Sequence, residues 1–324
     1  MSRHQPSGRW QLGLALALVT TACWATLPIA LKLTLQSLDP ITLTWARFVF
    51  ASVVTLGWLT VRGELGVLRG LASKHWQLLA IASAGLIGNY VFYLFGVDAT
   101  TPANAQLLIQ AAPLLMALGA MVVFHERYAL WQWLGLIAVI GGLALFAHDQ
   151  WRAQSQSSSY VAGSTWVLLA AVVWAGYALA QKQLLMRLSV AAILGVIFVV
   201  GALVLTPFAH PRTVLALAST DLWLLLYCSV NTLVAYGAFA AALAHWQASR
   251  VSLVLALTPV LTLLCGYVLA TIAPGVMAAE HVALLGWCGA ALVVAGSALA
   301  SLGGAKPRVE APLAAVSPSA VSTA

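Results

Sequence analysis

Charge is what this sequence has least of: 15 Lys and Arg and 8 Asp and Glu among 324 residues, 7% of the chain, where soluble domains carry about 25%. So few charged groups cannot cover a globule of this size in water. A mean hydropathy of +0.96 places most of the chain in a non-aqueous solvent, the lipid bilayer. Cysteine is nearly as scarce. Cys23, Cys228, Cys265 and Cys288 stand singly in apolar runs with no CxxC spacing, which argues against a disulfide framework or metal site and for small hydrophobes. No GxxxxGK[ST] occurs, so this chain alone does not couple to ATP. The net charge of +7 is spread singly between apolar runs rather than clustered, which argues against a nucleic-acid partner. Nothing in the chain requires a cofactor.

What the chain has instead is long apolar runs. Ten stretches of about twenty residues cover Trp10 to Leu33, Ile41 to Val61, Trp76 to Val97, Ala103 to Phe124, Trp131 to Ala147, Val161 to Gln181, Val190 to Phe208, Leu222 to Ala244, Ala248 to Ile272 and Val282 to Leu302. A β-barrel would show runs half as long with alternating polarity, so the runs predict an all-α integral membrane protein. The 25 glycines and 12 prolines fit, because helices in lipid tolerate both. The first run follows Arg3 and Arg9 as a signal peptide would. It continues to Leu33 without a small-residue cleavage pattern and is read as a retained span. With the N-terminus in the cytoplasm, eleven of the fifteen basic residues face inward and only Arg152 and Arg212 fall outside, which predicts two cytoplasmic termini.

The runs divide into an N-terminal segment 1–9, a five-helix unit 10–148, a polar Ser/Gln-rich linker 149–160, a second five-helix unit 161–302 and a disordered cytoplasmic tail 303–324. The two units are copies. Trp24, Ala25, Ala30 and Lys32 align with Trp174, Ala175, Ala180 and Lys182 at an offset of 150; Tyr90 and Pro113 align with Tyr236 and Pro259 at 146; Gly135 and Gly142 align with Gly289 and Gly296 at 154. The jump from 146 to 154 predicts an eight-residue insertion in TIAPGVMAAEH, before the tenth span. Because five spans is an odd number, the second copy enters from the opposite side, giving ten transmembrane helices as two inverted-topology repeats, the plan of secondary transporters that work by alternating access. A membrane-embedded receptor or enzyme is the rival reading. A receptor needs no inverted repeat, and no His/Asp, Ser/His or paired-carboxylate cluster points to an enzyme.

This duplicated plan, with Trp24, Arg47, the segment PLLMALGAMVVFHE from Pro113 to Glu126, Gly135, Gly142 and their second-half counterparts, resembles the drug/metabolite transporter superfamily of EamA type from about Gly13 to Ser301. The resemblance implies a transporter of small metabolites, often an exporter of amino acids or related compounds, in the bacterial inner membrane. The Pro-to-Glu interval departs from it, being 13 in the first half and 21 from Pro259 to Glu280 in the second, which puts the equivalence of Glu126 and Glu280 in doubt.

A small-molecule substrate needs polar groups that face the bundle interior near the midplane. Tyr90 and Tyr93, three residues apart, share a helix face, and with Gln110, Trp174, Tyr177, Tyr236, Trp24 and Arg47 they form the expected substrate-binding set. Arg47 lies about 9 Å into its span at 1.5 Å per residue, deep enough to attract an anionic group. Lys32, near a helix end, is expected to snorkel. Pro113 and Pro259 remove backbone donors inside spans four and nine and are the expected gating hinges.

Overall fold

The computed structural model describes residues 9–125, 128–154, 158–246, 248–277, 280 and 282–302. The segment before residue 9, Glu126 and the tail from residue 303 lie outside them. The helices are α1 (Trp10–Thr34), α2 (Pro40–Val61), α3 (Ser73–Ala99), α4 (Pro102–Leu108), α5 (Ala111–Phe124), α6 (Leu130–Gln154), α7 (Ser158–Leu184), α8 (Val190–Leu205), α9 (Pro211–Leu215), α10 (Ser219–His245), α11 (Ala248–Leu255), α12 (Thr258–Ile272) and α13 (Leu284–Leu302). Taking α4 with α5 and α11 with α12, nine spans among the described residues are long and apolar enough to cross a bilayer, and a shorter tenth covers Leu284–Ala300.

The helix ends reproduce the repeat. Asp39 Oδ1 accepts the amides of Ile41 and Thr42 at 3.0 and 2.9 Å ahead of Pro40, and Ser189, 150 residues later, caps α8 through the Ala192 amide at 3.2 Å. A side-chain acceptor followed by the first helical turn is how a helix start is written in sequence. Helices α3 and α10 begin and end 146 apart, and α6 and α13 begin 154 apart. Six of the eight extra residues fall between α12 and α13, where eleven residues (273–283) connect what five (125–129) connect in the first half; the other two lengthen α11 and α12 by one residue each.

Spans four and nine are interrupted rather than merely kinked. Pro113 has no amide for the Ile109 carbonyl, and α4 ends at Leu108. The freed carbonyl takes the Ala112 amide at 2.9 Å, a tighter 3₁₀ bond. Pro259 likewise frees the Leu255 carbonyl, which accepts the Thr258 hydroxyl. The stretch expected as a linker is largely helical, since α6 runs to Gln154 and α7 starts at Ser158. Asp149, Gln150 and Tyr160 are buried there, and the Tyr160 hydroxyl donates to Gln150 Oε1 at 3.2 Å. Polar groups that satisfy one another allow both helices to continue past the apolar runs.

The halves interlock instead of forming two separate cores. The most extensive helix pairs join one repeat to the other: α3 with α7, α1 with α10, α2 with α8, and α6 with α13. Glycine permits the closest of these approaches. A Cβ on Gly85 would lie 2.8 Å from the Val173 carbonyl, and one on Gly163 would lie 2.6 Å from the Thr100 side chain. The first contact joins the middles of α3 and α7, the second the end of α3 to the start of α7, so the two run antiparallel. Lys32, at the end of α1, donates to carbonyls at the end of α3, so α1 and α3 run the same way. It follows that α1 and its copy α7 point in opposite directions, which is the inverted topology. The contact of Gly163 with Thr100 recurs in the other half as Gly13 against Trp246, at the offsets of 150 and 146, so one pseudo-two-fold relates the contacts as well as the helices.

Candidate functional site

Helices α2, α3 and α10 meet around Arg47, which is 3% exposed. Its Nη2 donates to Thr232 Oγ1 on α10 at 2.7 Å, and its guanidinium carbon lies 4.9 Å from the centre of the Tyr90 ring on α3. Its Nε is buried without a hydrogen-bond partner. Tyr93, Tyr236 and Cys228 complete the surroundings within electrostatic reach of the guanidinium, and Tyr236 and Thr232 flank the Tyr90 hydroxyl. Arginine stays charged in proteins, and a charge at this depth in a bundle is costly unless something answers it. Here the answer is one hydroxyl and one aromatic face.

Aromatic side chains wall this centre. Phe48, beside Arg47 on α2, packs on Tyr90 at 4.9 Å and on Phe198 of α8 at 5.5 Å. Phe48 and Phe198 are 150 apart, so these counterparts touch across the pseudo-two-fold. Trp24 meets Tyr236 edge-on at 6.0 Å and Phe239 at 5.7 Å, and Trp174 meets Tyr177 at 6.2 Å. The structure thus brings together Arg47, Tyr90, Tyr93 and Tyr236, with Trp24 against Tyr236, and packs Tyr177 and Trp174 into the same core. Tyr93 donates to Gln106 Oε1 at 3.3 Å. Gln110 stands in the turn between α4 and α5 with no hydrogen bond or ring contact to this cluster. Pro113 and Pro259 mark the two helix breaks.

Asn231 is among the polar groups that the eighth span offers in the sequence, whereas Thr232 and Glu280 carry no such signal. Thr232 orients Arg47, yet threonines in lipid usually bond their own helix, as Thr232 also does to the Cys228 carbonyl at 2.9 Å. Asn231 reaches across to the Cys23 carbonyl on α1 at 2.9 Å. Glu280, on the inserted connection, accepts the Ala103 amide at the start of α4 at 3.3 Å. Burial pushes the Glu280 carboxyl above its usual range, against the Ala103 amide, the Thr101 side chain and Lys32, which favour its charged form. Lys32 does not snorkel. Its Nζ donates to the carbonyls of Val97 and Thr100 at 3.0 and 2.9 Å and to that of Asp98. The end of α3 carries unpaired carbonyls and the negative end of a helix dipole, a better partner for an ammonium group than the lipid interface. Lys32 and Glu280 therefore hold α1, α3, α4 and the α12–α13 connection at one end of the bundle.

Residues 11–147 and 161–302 each match the EamA-like transporter family. The chain belongs to this family. The uncharacterized inner membrane transporter YhbE of Escherichia coli K12 is 35% identical over 294 residues, 90% of this chain and 92% of YhbE. Shorter matches are the probable terminal-alkyne amino-acid exporter of Streptantibioticus cattleyicolor, 30% identical over 52% of this chain and 54% of its own length, and the aromatic amino acid exporter YddG of Ancylobacter novellus, 26% identical over 49% and 54%. A crystal structure that is 21% identical covers 91% of this chain and 98% of its own, with a TM-score of 0.61, which shows the same fold. The EamA-like chain is a multi-span membrane transporter built from two repeats.

Proposed function

We propose that this transporter exports amino acids or related small metabolites across the bacterial inner membrane, by alternating access of its two inverted repeats and with both termini in the cytoplasm. The substrate path runs between α1, α2, α3, α7 and α10, lined by Trp24, Arg47, Tyr90, Tyr93, Trp174, Tyr177 and Tyr236, with Gln110 beside the break in span four. The carrying observation is the position of this aromatic cluster. It lies where Phe48 and Phe198, counterparts under the pseudo-two-fold, touch. A site on that axis faces both sides of the membrane equally when the repeats exchange their conformations. Aromatic walls with a few placed polar groups are the usual make-up of a small-molecule site, and two amino-acid exporters are among the relatives.

The test is counterflow in proteoliposomes. Purified full-length protein loaded with unlabelled amino acid should accumulate the labelled species, and a panel from glycine to tryptophan, with nucleosides and cationic drugs as controls, should show saturable uptake for amino acids. Uptake of the controls alone would replace the substrate class.

A further inference from the structure

Setting the two repeats side by side isolates what the fold does not require. The counterpart of Arg47 at the offset of 150 is Ile197, and the counterpart of Thr232 at 146 is Leu86. Both are fully buried and belong to one apolar core. The same backbone position is thus packed by hydrocarbon in one half and by a hydrogen-bonded cation in the other. A pair kept only to hold helices α2 and α10 together would be served at least as well by the apolar version, since burying a charge in a bundle is costly. Among the described residues no carboxylate answers Arg47, and its Nε, on the edge of the guanidinium fork, has no partner.

We infer that Arg47 is the anchor for the carboxylate of the transported molecule, with Thr232 as its positioning residue, and that the substrates are monocarboxylates with an apolar or aromatic body. This rests on the transport reading above and names the chemistry that its site selects. The guanidinium presents paired N–H donors in the geometry of a carboxylate, and Thr232 takes Nη2, fixing the plane of the fork. One cation suits one negative charge; a phosphate dianion would be left half-neutralised among aromatic rings. Phe48, Tyr90, Tyr93, Tyr236 and Trp24 supply faces for the apolar body, and ring faces also attract an ammonium group such as an α-amine.

The decisive measurement is binding by the full-length protein in nanodiscs, with phenylacetate, its neutral isostere phenylacetamide, and phenylphosphonate as probes. Phenylacetate is expected to raise the thermal midpoint saturably and the other two not. Loss of the charge-assisted bonds in Arg47→Gln should weaken phenylacetate by more than about tenfold, with Arg47→Lys and Thr232→Val between it and the parent. The double variant Arg47→Ile, Thr232→Leu copies the protein's own Ile197–Leu86 pair. It should fold with an equal or higher midpoint and ignore phenylacetate. Equal responses to phenylacetate and phenylacetamide, unaltered binding in Arg47→Gln, or a lowered midpoint in the double variant would each overturn the assignment. Carboxylate binding without flux of any amino acid would leave the anchor standing and remove the amino-acid transport reading. Undiminished flux in the double variant would do the reverse.

Discussion

Gly135 of α6 lies against Gly296 of α13 so closely that a Cβ on Gly135 would sit 2.6 Å from the Gly296 carbonyl, and a Cβ on Gly296 would sit 2.7 Å from the Gly135 carbonyl. Gly142 and Gly289 repeat the arrangement at 2.6 and 2.7 Å. Because Gly135 corresponds to Gly289 and Gly142 to Gly296, these are one contact written twice, with the pseudo-two-fold passing between them.

Alanine at any of the four must push two backbones apart. Overpacking of this kind costs about 1–3 kcal/mol, so Gly142→Ala and Gly296→Ala should each lower the thermal midpoint in detergent. Two alanines facing each other, at Gly135 and Gly296, should cost less than the sum of their single effects, because the second enters a gap already opened. Gly135→Ala with Gly142→Ala, on separate contacts, should come closer to additive. A midpoint unchanged in all four single variants would show that α6 and α13 adjust without loss.

Glu280 makes stability depend on pH in a direction set by its environment. Burial raises its carboxyl above the ordinary value of 4.5, so the folded state favours the neutral form more than the unfolded chain does. The stabilisation is present at low pH and is lost as pH rises through the raised value. Glu280→Gln keeps an oxygen for the Ala103 amide and cannot ionise. The variant should therefore lose less thermal stability than the parent when pH is taken upward from 4.5 to neutrality, as melting curves across that range would show. A steeper loss in the variant would mean that Lys32 and the α4 amides outweigh burial.

Much of this was legible in the sequence because repetition leaves constant offsets: Trp24 with Trp174, Pro113 with Pro259 and the four glycines occupy equivalent places. The ten spans were readable because lipid admits no other apolar stretch of that length. What stayed hidden depended on distant helix ends meeting. Lys32 reads as a snorkelling residue until α3 ends beside it, and Glu280 as a loop residue until α4 starts there. Thr232 was hidden for another reason, since its bond to Arg47 spans 185 residues and its type carries no sign of a distant partner. The helical ends that reach into the stretch from residue 149 were hidden because Asp149, Gln150 and Tyr160 satisfy one another only once folded.

Orientation follows from the distribution of basic residues. A reporter fused at Ser157 should lie outside the cell and one at the C-terminus inside. Both on the same side would break the five-plus-five arrangement.

The aromatic centre predicts a loss of function without a loss of fold. Tyr90→Ala removes the face over Arg47 and the contact with Phe48, and Trp174→Ala removes the partner of Tyr177. Each should lower flux at subsaturating substrate by roughly tenfold, the scale of one aromatic contact plus its buried area, with membrane insertion retained. Flux equal to the parent's in both would return these rings to packing.

The two broken spans predict opposite effects from matching substitutions. Span four breaks at Ile109–Gln110 and span nine at Ala256–Leu257, each just before its proline. Alanine in place of Pro113 would restore a donor for the Ile109 carbonyl, and alanine in place of Pro259 one for the Leu255 carbonyl, which Thr258 now serves. Each change favours a straighter span by removing the ring clash and adding a helical bond. If the breaks are hinges, the inverted repeat makes one serve mainly the outer gate and the other mainly the inner gate. Pro113→Ala and Pro259→Ala should then bias the protein toward opposite access states. Cysteine labelling from each side of the membrane, in a background with Cys23, Cys228, Cys265 and Cys288 replaced, would report the bias at a position facing the central cluster. Equal labelling in both variants with transport intact would make the breaks static packing features. Parallel shifts in the same direction would show that they bend together, as one gate.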